Sequence, residues 1–286
     1  MILITGSLGQ LGQELCHLLD EKSIPYVATN STSLDITNKE KTMSYIKEVK
    51  PDIIYHCAAY TAVDKAEDEG KEMNHLVNVT GTEYVALGAK EVGATLVYVS
   101  TDYVFDGTLT NGEYDVTAKT NPLNEYGRAK LLGEQVVKDI MGDSHYYIIR
   151  TSWVFGQYGA NFVYTMQRLA KTMDKLSIVN DQVGRPTWTR TLAEFMIYAT
   201  TENIEYGVYH LSNDNSCTWY EFAKEILKEE AIELLPVTSE EFPQKAERPK
   251  YSVLDLSKTK QTGFVIPTWQ EALNIFMFSD KMNRND

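Results

Sequence analysis

The chain has 286 residues, enough for one large domain or two, and its 43% hydrophobic and 23% charged content suits a globular protein rather than a disordered one. Forty acidic against 27 basic residues leave a formal net charge of −13, which opposes binding to nucleic acid or an anionic membrane, since no basic patch stands out. No apolar run approaches the ~18 residues of a membrane span, and the first strand begins at Met1, so a cytoplasmic protein is expected. Cys16, Cys57 and Cys217 lie far apart and outside any C-x-x-C pairing, and His17, His56, His75, His145 and His210 form no H-x-x-x-H pair. Reduced core thiols and no metal centre are expected.

In chain order, the segment Met1 to Gly12, MILITGSLGQLG, is an apolar run broken by a ladder of Gly6, Gly9 and Gly12. It reads as a buried strand, a tight turn and the start of a helix over Gln10 to Asp20, the arrangement that presents backbone N–H groups and a helix dipole to a pyrophosphate. Further short apolar runs at Tyr26 to Thr29, Ile53 to Cys57, Thr95 to Ser100 and His145 to Thr151 alternate with helical patterns at Asn38 to Val49, Lys71 to Val92 and Asn124 to Met141. Such βαβ alternation predicts an α/β fold with a Rossmann-type, doubly wound parallel sheet. Beyond Phe155 the rhythm loosens. Helices at Leu192 to Thr201, Trp219 to Glu230 and Trp269 to Ser279 predict a smaller, mostly helical lobe. The division is thus residues 1–155 for the dinucleotide and 156–286 for the substrate, with an approximate boundary and lobes free to interleave. The cleft should lie between them, outside the carboxyl ends of the strands.

Tyr126 and Lys130 stand four apart, on one face of a helix. A phenol near pKa ~10 is a poor acid at neutral pH, and lowering it by two or three units takes roughly 3 to 4 kcal/mol of preferential phenolate stabilisation, part of which a neighbouring ammonium can supply. Such a spacing arises by chance in a chain with 18 tyrosines, and a second copy, Tyr220 and Lys224, reads as a helix-surface pair. What sets Tyr126 apart is the upstream strand Thr95 to Ser100, which ends in the hydroxyls of Ser100 and Thr101.

The glycine ladder, the Ser100-Thr101 strand end and the Tyr126/Lys130 pair resemble the extended short-chain dehydrogenases/reductases. Four longer blocks, Ala58-Ala-Tyr-Thr-Ala-Val-Asp-Lys65, Ser100-Thr-Asp-Tyr-Val-Phe-Asp-Gly107, Arg150-Thr-Ser-Trp-Val-Phe155 and Asp181-Gln-Val-Gly-Arg-Pro-Thr187, resemble the dTDP-4-dehydrorhamnose reductases. The resemblance spans most of the chain and implies hydride transfer to the 4-keto carbon of a dTDP-sugar. It implies Tyr126 as proton donor, Lys130 as the residue holding the nicotinamide ribose and lowering the tyrosine pKa, and Thr101 as the group polarising the carbonyl. Asn78 matches the family's proton-relay asparagine. The resemblance also places Gly9, Gln10 and Leu11 on the pyrophosphate, Asp35 and Ile36 on the adenine, Ala58, Ala59 and Tyr60 on the middle of the cofactor, and Asp102 and Trp153 on the sugar nucleotide. Arg185 and Arg248 are candidates for the substrate diphosphate, since a guanidinium fork suits phosphate oxygens.

Duller readings stand beside these: Trp153 as core, Asp35 as a helix cap and Asp102 as a turn residue. At the end of the second strand, where an NAD-specific fold usually carries an acid, stands Asn30. NADPH or NADH is expected, with NADPH favoured by the missing negative charge. Epimerases and dehydratases share the glycines and the Tyr/Lys pair, but dehydratases of this class carry Asp-Glu where this chain has Asp102-Tyr103. The regulatory subunit of methionine adenosyltransferase is a non-catalytic relative of similar sequence, against which the complete Thr101, Tyr126 and Lys130 set argues. A homodimer and a magnesium ion are compatible with the sequence, and neither is specified by it.

Overall fold

The computed structural model describes residues 1–143 and 145–283. Strand β1 (Ile2–Thr5) is buried along its whole length and runs through a turn at Gly6 into helix α1 (Gln10–Glu21). Strand β2 (Tyr26–Thr29), helix α2 (Lys39–Val49) and strand β3 (Ile53–His56) follow. The next helical run keeps the course read from sequence but comes in three parts: α3 (Lys71–His75), a π-helical turn at Leu76–Gly81, and α4 (Thr82–Val92). Strand β4 (Thr95–Thr101), helix α5 (Glu125–Met141) and strand β5 (Tyr146–Thr151) close the first half. The second half holds β6 (Val154–Phe155), α6 (Phe162–Ala170), β7 (Lys175–Val179), β8 (Val183–Gly184), β9 (Thr187–Trp188), α7 (Thr189–Thr201), β10 (Gly207–His210), β11 (Cys217–Thr218), α8 (Trp219–Ile226), β12 (Glu233–Val237), α9 (Ser257–Gln261) and α10 (Trp269–Asn283).

Among the described residues six strands form one parallel sheet in the order β2-β1-β3-β4-β5-β10. Strand residues alternate between its two faces, and both faces are apolar, as a parallel sheet covered on both sides requires. Leu3, Ile54, Leu96 and Ile148 meet Ile46 of α2, Ala86 and Ala89 of α4 and Val137 of α5. Ile4, Tyr55, Val97 and Ile149 meet Leu15 and Leu18 of α1 together with Leu192, Phe195 and Met196 of α7.

Here the placement of α7 differs from the sequence expectation. The helix read as part of the C-terminal lobe covers the sheet beside α1, and β10 extends the sheet next to β5. The physical reason is that α1 leaves part of that face bare, and the apolar stripe of α7 fills it. The C-terminal lobe proper is built around Phe155, Phe222, Trp269 and Phe276, with α6, α8 and α10 packed on the parallel pair β7 and β12. No helix among the described residues is long and apolar enough to cross a membrane.

One buried ion pair fixes α5 against the sheet. Arg150 of β5 donates to both carboxylate oxygens of Glu134, from Nε at 2.9 Å and Nη2 at 2.8 Å, and the Ser100 hydroxyl of β4 donates to the same carboxylate at 2.6 Å. Glu134 and Arg150 are both buried, so removing one partner strands a charge away from water. Glu134→Ala should cost about 3–5 kcal/mol of stability, read as a lower urea midpoint; a loss below ~1 kcal/mol would show that the pair does not hold the helix.

Candidate active site

The carboxyl ends of five neighbouring strands lie side by side in the order β2, β1, β3, β4, β5. They bring Asn30, Gly6, Ala58, Thr101 and Trp153 into one row. At about 4.8 Å per strand the row spans roughly 19 Å. The chain departs from β1 in opposite directions to reach β2 and β3, and the crevice opens at that switch point. A cleft of about 590 Å³ lies there, lined by Gly9, Gln10, Leu11 and Gly12 at one end, by Thr101, Asp102, Tyr126 and Lys130 in the middle, and by Trp153, Phe162 and Trp219 at the other.

At the glycine end the chain leaves no room for side chains. Gly6 has φ +71°, and a Cβ there would lie 2.5 Å from the Ala58 nitrogen; a Cβ on Gly12 would lie 2.2 Å from the Gly6 carbonyl oxygen. Gly9 caps α1 with no side-chain bond, so the first N–H groups of the helix face the cleft unblocked. The Gln10 side-chain oxygen is buried there without a partner. A narrow backbone cradle and a helix N-terminus with free N–H groups together fit a dinucleotide pyrophosphate. At the far end of the row Asn30 accepts from the amides of Thr32 and Ser33 through Oδ1. Asp35 accepts from Thr37 and lines a separate groove of about 330 Å³ with Thr32, Lys41 and Tyr45, while the cap of α2 is Asn38. The Ile36 side chain belongs to the core beneath Gly81, which leaves its backbone for any adenine contact.

Asn78 lies in the π-helical turn and is fully buried. Its side chain clamps the Tyr60 backbone, accepting from the N–H at 3.0 Å and donating to the carbonyl at 2.9 Å, and it also donates to Asn74. It therefore holds the loop of Ala58, Ala59 and Tyr60 rather than facing the cleft. Behind it stands His56, a residue the sequence reading left unused. The Thr82 hydroxyl donates to the Asn78 carbonyl at 2.9 Å, so its oxygen accepts from His56 Nε2–H at 3.1 Å, and Nδ1 accepts from the Thr5 hydroxyl at 2.7 Å. This bonding needs a neutral ring, and burial holds the His56 pKa down at about 3.

Tyr126 and Lys130 share the cleft-facing side of α5, whose start is capped by Asn124 on the Gly127 amide. The Tyr126 ring meets Tyr103 edge to face at 6.1 Å, and its phenol interacts with the Thr101 hydroxyl. The Lys130 ammonium sits 4.0 Å above the Tyr98 ring. The electrostatics depart from expectation. Desolvation by the cleft walls raises the Tyr126 pKa, the Asp102 carboxylate raises it further, and the Thr101 hydrogen bond lowers it; Lys130 is not among the groups acting on it. Burial pushes Lys130 itself down to about 7, against the pull of Glu134. Low dielectric disfavours the charged form of both groups.

At the end of the cleft opposite the glycines, Trp153 has φ +47° and stacks on Trp219 at 3.7 Å and 11°. Trp153 is thus a cleft residue as well as a packing one. Arg185 is a correction: it lies outside the cleft lining, with its guanidinium on Glu113 at 2.6 Å and on the Leu254 carbonyl. Both terminal nitrogens are engaged there, away from the cleft. Arg248 is likewise taken, gripping both Asp64 oxygens at 2.9 and 2.8 Å. Tyr220 packs against the C-terminal core, away from the cleft lining. Among the described residues no cluster of His, Cys, Asp or Glu is arranged to hold a metal ion.

A parallel α/β sheet with a glycine cradle at its switch point, and a strand-end hydroxyl facing a Tyr/Lys helix, defines an NAD(P)-binding chain of the short-chain dehydrogenase/reductase type. More narrowly, the chain belongs to the family described as the RmlD substrate binding domain, whose model matches residues 1–281. It is 40% identical over 278 residues to the spore coat polysaccharide biosynthesis protein SpsK of Bacillus subtilis (strain 168), covering 96% of each chain. It is 40% identical over 287 residues to dTDP-4-dehydrorhamnose reductase of Aggregatibacter actinomycetemcomitans, covering 95% of this chain and 96% of the relative. The crystal structure of dTDP-4-dehydrorhamnose reductase from Bacillus anthracis str. Ames in complex with NADP matches with a TM-score of 0.92 and 42% identity, over 97% of this chain and 98% of that one.

The cradle makes a direct prediction. Gly12→Ala should weaken NADPH binding at least tenfold, measured by quenching of intrinsic fluorescence, because the added methyl must push Gly6 out of the turn. Unchanged affinity would mean that the pyrophosphate sits elsewhere.

Proposed function

We propose that the protein is an NADPH-dependent reductase that converts the 4-keto group of dTDP-4-dehydro-L-rhamnose into the alcohol of dTDP-L-rhamnose, the last step of dTDP-rhamnose formation. The convergence of Thr101, Tyr126 and Lys130 in one cleft beside the glycine cradle carries this reading. A reduced nicotinamide, when bound, supplies the hydride. Thr101 donates a hydrogen bond to the keto oxygen, and the Tyr126 phenol delivers the proton that the oxygen takes up as it becomes an alcohol. Lys130, buried at the base of α5, is placed to bind the nicotinamide ribose. Asp102 and Trp153 hold the sugar, with Trp219 supporting Trp153 by stacking. His56 and Asn78 keep the Ala58–Tyr60 loop in register.

Two observations favour this reading over its relatives. A dehydratase needs a carboxylate base after Asp102, and Tyr103 offers a phenol whose pKa is raised by burial and by Asp102. A purely binding relative has no use for a strand-end hydroxyl aimed at a desolvated phenol. NADPH is preferred to NADH because Asn30 carries no charge to repel a 2′-phosphate; with Oδ1 committed to two amides, its Nδ2 remains as a donor to phosphate oxygen.

Tyr126→Phe should reduce kcat by roughly 10²- to 10⁴-fold with dTDP-4-dehydro-L-rhamnose, with NADPH affinity unchanged. Full activity in that variant would remove Tyr126 from the mechanism. Initial rates of the unaltered protein should favour NADPH, and a strong NADH preference would overturn the cofactor assignment.

A further inference from the structure

Residues 245–256 run as a strap past the end of β4 and the start of α5, tied to distant parts of the chain. Arg248 grips Asp64, the Glu247 carbonyl accepts from Asn124 at the start of α5, and Val253 and Asp255 bond to Tyr114 through the backbone. In the middle of the strap is Ser252, 1% exposed, whose hydroxyl donates to Asp102 Oδ2 at 2.6 Å. The other oxygen, Oδ1, faces the Thr101 hydroxyl at 3.1 Å.

Resting on the reductase reading, we propose that Ser252 is a positioning residue for the reaction: by donating to Oδ2 it confines the Asp102 proton to Oδ1, which turns the Thr101 hydroxyl away from Asp102 and towards the substrate carbonyl. The Thr101 oxygen has one proton to give and two lone pairs, one of which accepts the Tyr103 amide at 3.2 Å. When Asp102 is ionised it takes the Thr101 proton, and the remaining lone pair is left for the Tyr126 phenol, whose own proton is then directed backwards. When Asp102 carries a proton on Oδ1, that proton fills the second lone pair of Thr101. The Thr101 hydroxyl must then point outward, and the Tyr126 phenol is free to face the same oxygen.

The groups that face Asp102 from other elements are Tyr126 on α5 and Ser252 on the strap, with Tyr103 beside it and Arg248 acting on Tyr103; Lys130 lies one turn along α5, over Tyr98. Burial lifts the Asp102 carboxyl to about 7, and the Ser252 and Thr101 hydroxyls pull it back down. The neutral form, in which Thr101 points outward, is the one lost as pH rises through that value. Deleting the Ser252 hydroxyl removes a bond that favours the ionised form, so it moves the loss to higher pH.

The test is the pH profile of kcat for NADPH-dependent reduction of dTDP-4-dehydro-L-rhamnose. The unaltered protein should lose activity on the alkaline side. Ser252→Ala should shift that limb upward by about one pH unit, with KM for NADPH unchanged. Asp102→Asn, which keeps an acceptor for Ser252 and a fixed donor for Thr101, should flatten the limb. A Ser252→Ala profile that superimposes on that of the unaltered protein, or an Asp102→Asn profile that keeps the limb, overturns the proposal while leaving the reductase reading intact. Where Ser252→Ala does not fold, Asp102→Asn decides alone. Absence of turnover in the unaltered protein overturns the reductase reading itself, and the role of Ser252 with it.

Discussion

The bidentate contact between Glu134 and Arg150 is the constraint on which the site depends. Tyr126, Lys130 and Glu134 follow one another at steps of four along α5, so the three side chains share a stripe. Pinning Glu134 to Arg150 on β5 and to Ser100 on β4 sets the rotation and depth of the whole helix. Without that anchor the phenol and the ammonium would still be neighbours, but their distance from the Thr101 hydroxyl at the end of β4 would be free. The pair is a weak device for stability, since two charges must be desolvated to make it. Its value is in register, because a bidentate fork tolerates little sliding or rotation.

A second constraint comes from far along the chain. The strap that carries Ser252 and Arg248 is more than a hundred residues from Asp102 and Asp64, yet it bonds to both. It also holds the cap residue of α5 through the Glu247 carbonyl. The loop after β3, the end of β4 and the start of α5 are therefore referenced to one segment of backbone. This explains why the two halves cannot be treated as separable modules. The helix α7 and the strand β10, both late in sequence, complete the face and edge of the sheet begun at Met1.

Much of this was legible in the residues. The glycine ladder, the alternation of apolar runs and the four-residue step from Tyr126 to Lys130 are local patterns, and local patterns translate directly into a strand, a turn and a helix face. What was not legible depends on partners brought together by folding. Arg185 looks the same in sequence whether it meets a phosphate or Glu113, and burial against Leu254 decides the matter. The π-helical turn at Leu76–Gly81 has no residue signature; it is stabilised by Asn78 reaching Tyr60 and by Thr82 reaching back to the Asn78 carbonyl. Ser252 is one serine among many until the strap lays it on Asp102. The one signal that would have singled out His56 is its place at the end of a strand otherwise made of apolar residues, Ile53 to Tyr55.

The electrostatics of the pair Tyr126 and Lys130 bear on the direction of the proposed reaction. The cleft raises the pKa of the phenol and depresses that of the lysine. A raised phenol is a poor base, and oxidation of an alcohol would need a base at that position. Protonating an alkoxide makes a different demand: the acid must be stronger than the alcohol formed, which is about as weak an acid as water. A desolvated phenol still meets that condition, and it keeps its proton at neutral pH until the keto oxygen gains charge. The same burial that weakens Tyr126 as a base therefore leaves it competent as an acid. The depressed pKa of Lys130 follows from its burial, against the pull of Glu134, with its ammonium over the Tyr98 ring.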